Sequence, residues 1–429
     1  MPSRFVRPAV GLATVLAMAV PASVAASDAN HSSVASDVPV NWTPHLVPTG
    51  AVDRPVAYSI TEAGDLMVVG GKFTAVENSA RTTTYARSNV FAFDADTGAV
   101  TGFAPTVNGQ IWSVLGDGDS VYIGGEFTSV NGQPRTAIAK LDLTTGQVDP
   151  AFAPTIASGR VSDMELAHGQ LIVGGTFKKR LMSLNPTTGK PTNYLQVAIT
   201  DPLPFTNRPE VFRFDVSPDG QHLVAVGNFT VVGGQSNWRI FMLDLSATTA
   251  TVSPWSYPHA SRGCHAQTTP MYQMYVRDVD FAPDSSYFAV ASTGGHRING
   301  EGPGLVLCDS VARFETGTLS PTQPTWINYT GGDTLHSVAV SGAAVYVQGH
   351  SRWLDNPFGR DHAGPGAVER PGGGAVDPVT GKALPWNPGM PQAKGGYQIL
   401  PVDGGVWFVT DGIRFKQRYR YGIRFVPLP

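Results

Sequence analysis

The clearest pattern of apolar and polar positions runs from Trp112 to Pro154. Trp112-Ser113-Val114-Leu115 alternates, and Gly116-Asp117-Gly118-Asp119 breaks it. Val121-Tyr122-Ile123-Gly124-Gly125-Glu126-Phe127-Thr128 follows, then a polar stretch and a third run, Ala137-Ile138-Ala139-Lys140-Leu141-Asp142. Thr144-Thr145-Gly146 turns the chain again, and Phe152-Ala153-Pro154 closes the segment. Short runs of period two between Gly, Asp and Pro breakers predict strands joined by tight turns. A glycine at such a turn supplies the positive φ that a hairpin needs. No long segment places apolar residues at helical spacing, so the whole chain reads as all-β.

The same segment recurs. Val69-Gly70-Gly71-Lys72-Phe73-Thr74 precedes it; Ile172-Val173-Gly174-Gly175-Thr176-Phe177 and Val226-Gly227-Asn228-Phe229-Thr230 follow. Weaker copies are Ala291-Ser292-Thr293-Gly294-Gly295-His296, Val345-Tyr346-Val347-Gln348-Gly349-His350 and Val406-Trp407-Phe408-Val409-Thr410-Asp411. Their spacing of roughly 50 to 65 residues lies near the period of kelch-like repeats. Four antiparallel strands per repeat make one propeller blade, and glycine pairs in the second strand leave room for close packing between blades. No helix or Lys-Ser/Thr follows these glycines, which excludes a phosphate-binding loop. The last repeat stops at Ile423-Arg424-Phe425-Val426-Pro427 without a fourth strand, while Val40-Asn41-Trp42-Thr43-Pro44 is a strand without a repeat. The expected fold is therefore a seven-bladed β-propeller of four-stranded antiparallel blades over 40–429, closed by an N-terminal strand that removes exposed sheet edges.

These Gly-Gly-x-Phe-Thr repeats resemble the Delta-60-type propeller repeats of secreted actinobacterial proteins. Two further stretches look like the same group: Tyr329-Thr330-Gly331-Gly332-Asp333-Thr334-Leu335-His336-Ser337-Val338, and His350-Ser351-Arg352-Trp353-Leu354-Asp355-Asn356-Pro357 with Ala363-Gly364-Pro365-Gly366-Ala367-Val368 and Trp386-Asn387-Pro388. The resemblance spans essentially the whole chain after its leader. It implies a propeller and carries no catalytic residue.

Composition sets the location. Arg4 and Arg7, an uncharged apolar stretch over 9–20, and small residues around Ala25 and Ala26 read as a signal peptide over 1–26, followed by a flexible lead-in over 27–39. No later segment is long and apolar enough to span a bilayer. Secretion to the extracellular space is expected, and with it a Cys264–Cys308 disulfide, those being the only two cysteines. A formal charge of -3 offers no field for nucleic acid. The alternating basic and aromatic tail at 414–425 has the period of a strand pair with one wet side.

Strand order puts the short first-to-second turns on one face and the long connections over 198–210, 257–272, 297–307 and 351–374 on the other. Long loops on one end of a rigid scaffold are where binding concentrates. Histidines gather there: His259, His265, His296, His336, His350 and His362. The expected site joins His296, His350, Trp353, Asp355 and Asp361 on the loops to His336 and Asp278 at the channel entrance. Aromatic rings suit sugar faces, and neighbouring polar groups suit hydroxyls. The expected function is that of a monomeric secreted binding protein for an extracellular carbohydrate or protein. The alternative is a polysaccharide lyase or glycoside hydrolase using His, Tyr and Asp at the channel mouth. No cofactor is called for. The His and Asp of the loops are of a type that holds a divalent metal, but they form no compact ligand motif.

Overall fold

The computed structural model describes residues 29–266, 269–296, 304–390 and 395–429. The expected signal peptide over 1–26 lies outside them. Among the described residues, antiparallel sheets of one design follow one another along the chain. Their first, second and third strands are Val56–Ala63, Leu66–Lys72 and Val90–Asp94; Gln110–Asp117, Ser120–Glu126 and Ile138–Asp142; Val161–Ala167, Gln170–Gly175 and Leu181–Leu184; Val211–Val216, His222–Gly227 and Ile240–Leu245; Tyr275–Phe281, Tyr287–Thr293 and Ser310–Glu315; Leu335–Ser341, Ala344–Gly349 and Gly373–Val376; and Gly396–Val402, Gly405–Thr410 and Ile423–Pro427. We number the sheets in this order.

Each first strand lies beside the first strand of the next sheet, and the last lies beside Val56–Ala63. The apolar core is divided in the same way. Val68, Ile111 and Val121 fill the space between the first two sheets. Ile60, Val69, Trp407 and Ile423 fill that between the last and the first. Each strand therefore buries both of its faces, which accounts for second strands such as Val121-Tyr122-Ile123 that are apolar without alternation. This is a β-propeller, with the first strands around a central channel.

The fourth strands correct the expectation of four-stranded sheets throughout. Among the described residues, full ladders form only in the fourth sheet, through Ala250–Val252, and the fifth, through Trp326–Tyr329. Elsewhere a single bridge remains: Phe93 with Val100, Leu141 with Val148, Leu184 with Pro191, and Val376 with Ala383. Prolines interrupt these segments and have no N–H to extend a ladder. Their aromatic residues, Phe103, Phe152 and Trp386, are buried in the cores instead.

Residues 29–46 run along the last sheet. Val40 N donates to Phe425 O (3.0 Å), Ser36 N to Pro427 O (2.8 Å) and Leu46 N to Tyr421 O (3.1 Å). The Trp42 ring meets Trp407 at 5.7 Å and Phe425 at 5.8 Å. The segment over 29–39, expected as a loose lead-in, is held too: His31 Nε2 bonds Val402 O at 2.8 Å, and Ala35 N donates to the Tyr346 hydroxyl at 2.8 Å. Cys264 and Cys308 are joined, with Cα atoms 5.7 Å apart. The bridge ties the connection entering the fifth sheet to the start of that sheet's third strand. No helix among the described residues is long and apolar enough to cross a membrane.

Candidate functional site

Every first strand carries one β-bulge at the same place, at its second or third residue. The extra residues are Tyr58, Trp112, Ser162, Phe212, Arg277, His336 and Tyr397. A bulge leaves one residue out of the ladder and re-aims its side chain. The repeated glycines explain how it fits. A Cβ on Gly125 or Gly175 would overlap the carbonyl oxygen of Gln110 or Arg160 in its own sheet. A Cβ on the preceding Gly124 would strike Val161 of the next sheet. The first glycine of the pair therefore admits the neighbouring sheet, and the second admits the bulge.

The bulged side chains meet at the channel mouth, on the face where the first strands begin. Trp112, Ser162, Phe212, Arg277, His336 and Tyr397 line a cavity of about 350 Å³ with Arg160, Glu210 and Arg213. Tyr58 stacks flat on Trp112 (4.3 Å, 7° between planes) and meets Tyr397 edge-on at 4.8 Å. His336 lies over Tyr397 at 6.2 Å. Burial pushes the Tyr58 and Tyr397 phenols above their ordinary pKa, and Asp411 adds to the effect.

The cations of the mouth have different company. Arg160 pairs with Glu210, donates to Ser162 Oγ (3.0 Å) and lies 4.3 Å above the Trp112 ring. Arg213 bonds Asp163 Oδ1 (3.3 Å) and reaches across to Tyr397 O (3.3 Å). Arg277 contacts the rings of Phe212 at 5.1 Å and Tyr275 at 4.9 Å. Among the described residues it has no hydrogen-bond acceptor or carboxylate partner, and its Nε is buried without one.

Below Arg213 a narrower space of about 110 Å³ touches all the first strands. Its polar side chains cap the free edge of the neighbouring sheet. Ser59 Oγ accepts from Val114 N (3.1 Å), Asp163 Oδ2 from Phe214 N (2.9 Å), Glu165 Oε2 from Val216 N (3.0 Å) and Asp215 Oδ2 from Phe281 N (2.6 Å). Asp278 Oδ2 accepts from Val338 N (3.0 Å), Asp280 Oδ2 from Val340 N (2.6 Å) and Gln398 Oε1 from Ile60 N (2.8 Å). These bonds satisfy N–H groups that an innermost strand otherwise leaves orphaned. Desolvation raises the Asp278 carboxyl to about 7.

Of the expected site residues, His336 lines the mouth cavity and Asp278 lies beneath it as a cap. His296, His350, Trp353, Asp355 and Asp361 do not line that cavity. Asp355 holds its loop: Oδ1 accepts from Asn328 Nδ2 (2.7 Å) and Oδ2 from Ala383 N (3.1 Å). Asp361 lies 3.8 Å from Arg352, which is clamped by Asp333 and covers the Trp353 ring at 4.3 Å. His350 is exposed, and the His265 side chain lies outside the described residues. Among the described residues no three His, Cys, Asp or Glu side chains gather as a metal-binding group. The expectation passed over Tyr58, Trp112, Arg160, Phe212, Arg213, Arg277 and Tyr397. Their signal is an apolar residue, a variable one and then a polar one at the head of each first strand, as in Ile111-Trp112-Ser113 and Val276-Arg277-Asp278.

Residues 119–152 match a family described as a domain of unknown function (DUF5122) beta-propeller. No curated protein matches the sequence. Among solved structures, the chain is similar to the computationally designed Ika8 protein, at 9% identity over 90% of this chain and 98% of that one, with a TM-score of 0.46. It is similar to the hydrazine synthase of Kuenenia stuttgartiensis at 16% identity, over 85% and 94%, with a TM-score of 0.46. It is also similar to BamB from Moraxella catarrhalis at 13% identity, over 87% and 83%, with a TM-score of 0.42.

Proposed function

We propose that this chain is a secreted binding protein, a seven-bladed propeller closed by its N-terminal segment, which takes an extracellular carbohydrate at the mouth of its central channel. One observation carries the reading: a cavity of about 350 Å³ walled by Trp112, Phe212 and Tyr397 and edged by Ser162, His336 and three guanidinium groups. Ligand cavities run from about 300 to 1,000 Å³ and combine apolar walls with a few convergent polar groups. Flat rings beside hydroxyl-bonding side chains suit a sugar. Secretion is supported by the basic, apolar and small-residue order of the first 26 residues and by the disulfide. The seven repeats, the return of the last sheet to the first and the bonds of 36–46 to the last sheet support the closed ring.

A glycan array probed with the secreted protein tests the function. Saturable binding that falls at least tenfold in Trp112→Ala, with an unchanged circular dichroism spectrum, is the expected result. Absence of binding to any saccharide sinks the reading. A second reading, a polysaccharide lyase, draws on His336 lying over Tyr397 beside a guanidinium. It requires release of unsaturated ends from an acidic polysaccharide, lost in both His336→Ala and Tyr397→Phe.

A further inference from the structure

The mouth cavity holds more positive charge than its own carboxylates neutralise. Arg160, Arg213 and Arg277 line it, and among the described residues Glu210 is the only acid that does. Glu210 is taken by Arg160, and Arg213 is taken by Asp163 from below. Arg277 is left over. Its guanidinium lies over the corner formed by the touching Phe212 and Tyr275 rings, with a buried Nε that meets no acceptor among the described residues. Glu210 acts on it through space without forming an ion pair. A guanidinium withdrawn from water without a counter-charge is costly, and removing one partner from a buried pair is among the more damaging changes known. Such a group is stabilised when an anion arrives, and its planar fork fits a carboxylate through two parallel bonds.

We propose that Arg277 is the seat of a carboxylate on the bound saccharide, so that the ligand class is an acidic, uronic-type sugar. This rests on the carbohydrate reading above and narrows it. The sugar sits in the aromatic-lined mouth cavity, and its carboxylate faces Arg277. The two rings cover one side of the guanidinium, which lowers the local dielectric and strengthens a charge-assisted bond. A neutral sugar of the same shape leaves Arg277 unpaired and binds more weakly.

Calorimetric titration of the whole secreted protein with trigalacturonic acid, and with its fully methyl-esterified form, tests the assignment. Esterification erases the charge and keeps the sugar backbone. The acid is expected to bind at least tenfold more tightly than the ester. Arg277→Gln should remove that preference, and Arg277→Lys should retain part of it. Equal binding of acid and ester overturns the assignment to Arg277 and leaves the carbohydrate reading standing. Binding of neutral glycans but of neither probe does the same. Failure to bind any saccharide overturns both. The comparison of acid with ester needs only the wild-type protein, so equal binding overturns the assignment even if substitution at Arg277 impairs folding.

Discussion

Asp278 shows how one carboxyl serves the scaffold at the edge of a binding cavity. It caps Val338 N in the next sheet, and desolvation raises its pKa to about 7. Between about pH 4 and 7 the folded chain then holds a proton that the unfolded chain has lost. Its stabilising contribution is complete below about pH 4 and disappears as pH rises to 7. Asp278→Asn keeps the oxygen that accepts from Val338 and removes the titration. Its melting temperature, followed from pH 4 to 8, should fall less with pH than that of the wild type. At pH 8 the variant should be the more stable by about 1–4 kcal/mol, a ceiling set by ~1.4 kcal/mol per pH unit. Asp309, also raised to about 7 by burial, keeps some slope in both proteins. A variant that melts with the wild-type pH dependence would show that Asp278 ionises freely in its cavity. The residue's place near the channel was legible from its position in the first strand. Its bond to the neighbouring sheet was not, because a cap across sheets depends on a register that the sequence does not print.

The recurring element is a first strand with one bulge, set opposite glycine in the second strand. Repeat, glycine pair and strand order are all visible in the sequence, because turns and apolar runs have local causes. The bulge leaves only the short triplet at the strand head as its trace. It shifts the register by one residue, and a simple alternation assigns Trp112 or Arg277 to a space between sheets instead of the channel. That is why the long loops with their histidines drew the expectation outward, to Trp353 and Asp355, while the ring formed at the strand heads. The element makes its own prediction. Gly175→Ala would drive a methyl group into the Arg160 carbonyl. It should cost about 1–3 kcal/mol, as overpacking does. It should also weaken ligand binding through Arg160 and Ser162, which the bulge positions. Chemical denaturation and a binding titration check both; a change in stability with untouched affinity would separate bulge from site.

At the scale of the whole molecule, the two chain ends share the last sheet. Leu46 is fully buried at this seam, donates its N–H to Tyr421 O and packs in the core shared by the last and first sheets. Leu46→Ala should cost about 2–5 kcal/mol, measured by urea unfolding, a large share of the stability of an ordinary domain. Only a marginal loss would mean that the seam contributes little to holding the ends together. His45 beside it is buried, and desolvation and Arg420 lower its pKa to about 4. The contribution of this neutral imidazole is thus present above about pH 6.5 and is lost as pH falls towards 4, opposite in sign to Asp278.

Arg213 belongs to both axial spaces, the wide one above it and the narrow one below, and its guanidinium reaches from the fourth sheet to a carbonyl of the seventh. Arg213 is therefore a crossbar on the axis, shared by the space above it and the space below. A polymer threaded along the axis would have to pass that side chain. On the carbohydrate reading, a long chain would meet that crossbar with an end or a side branch, so the number of free ends in a sample, more than its mass, would set how many mouths it fills.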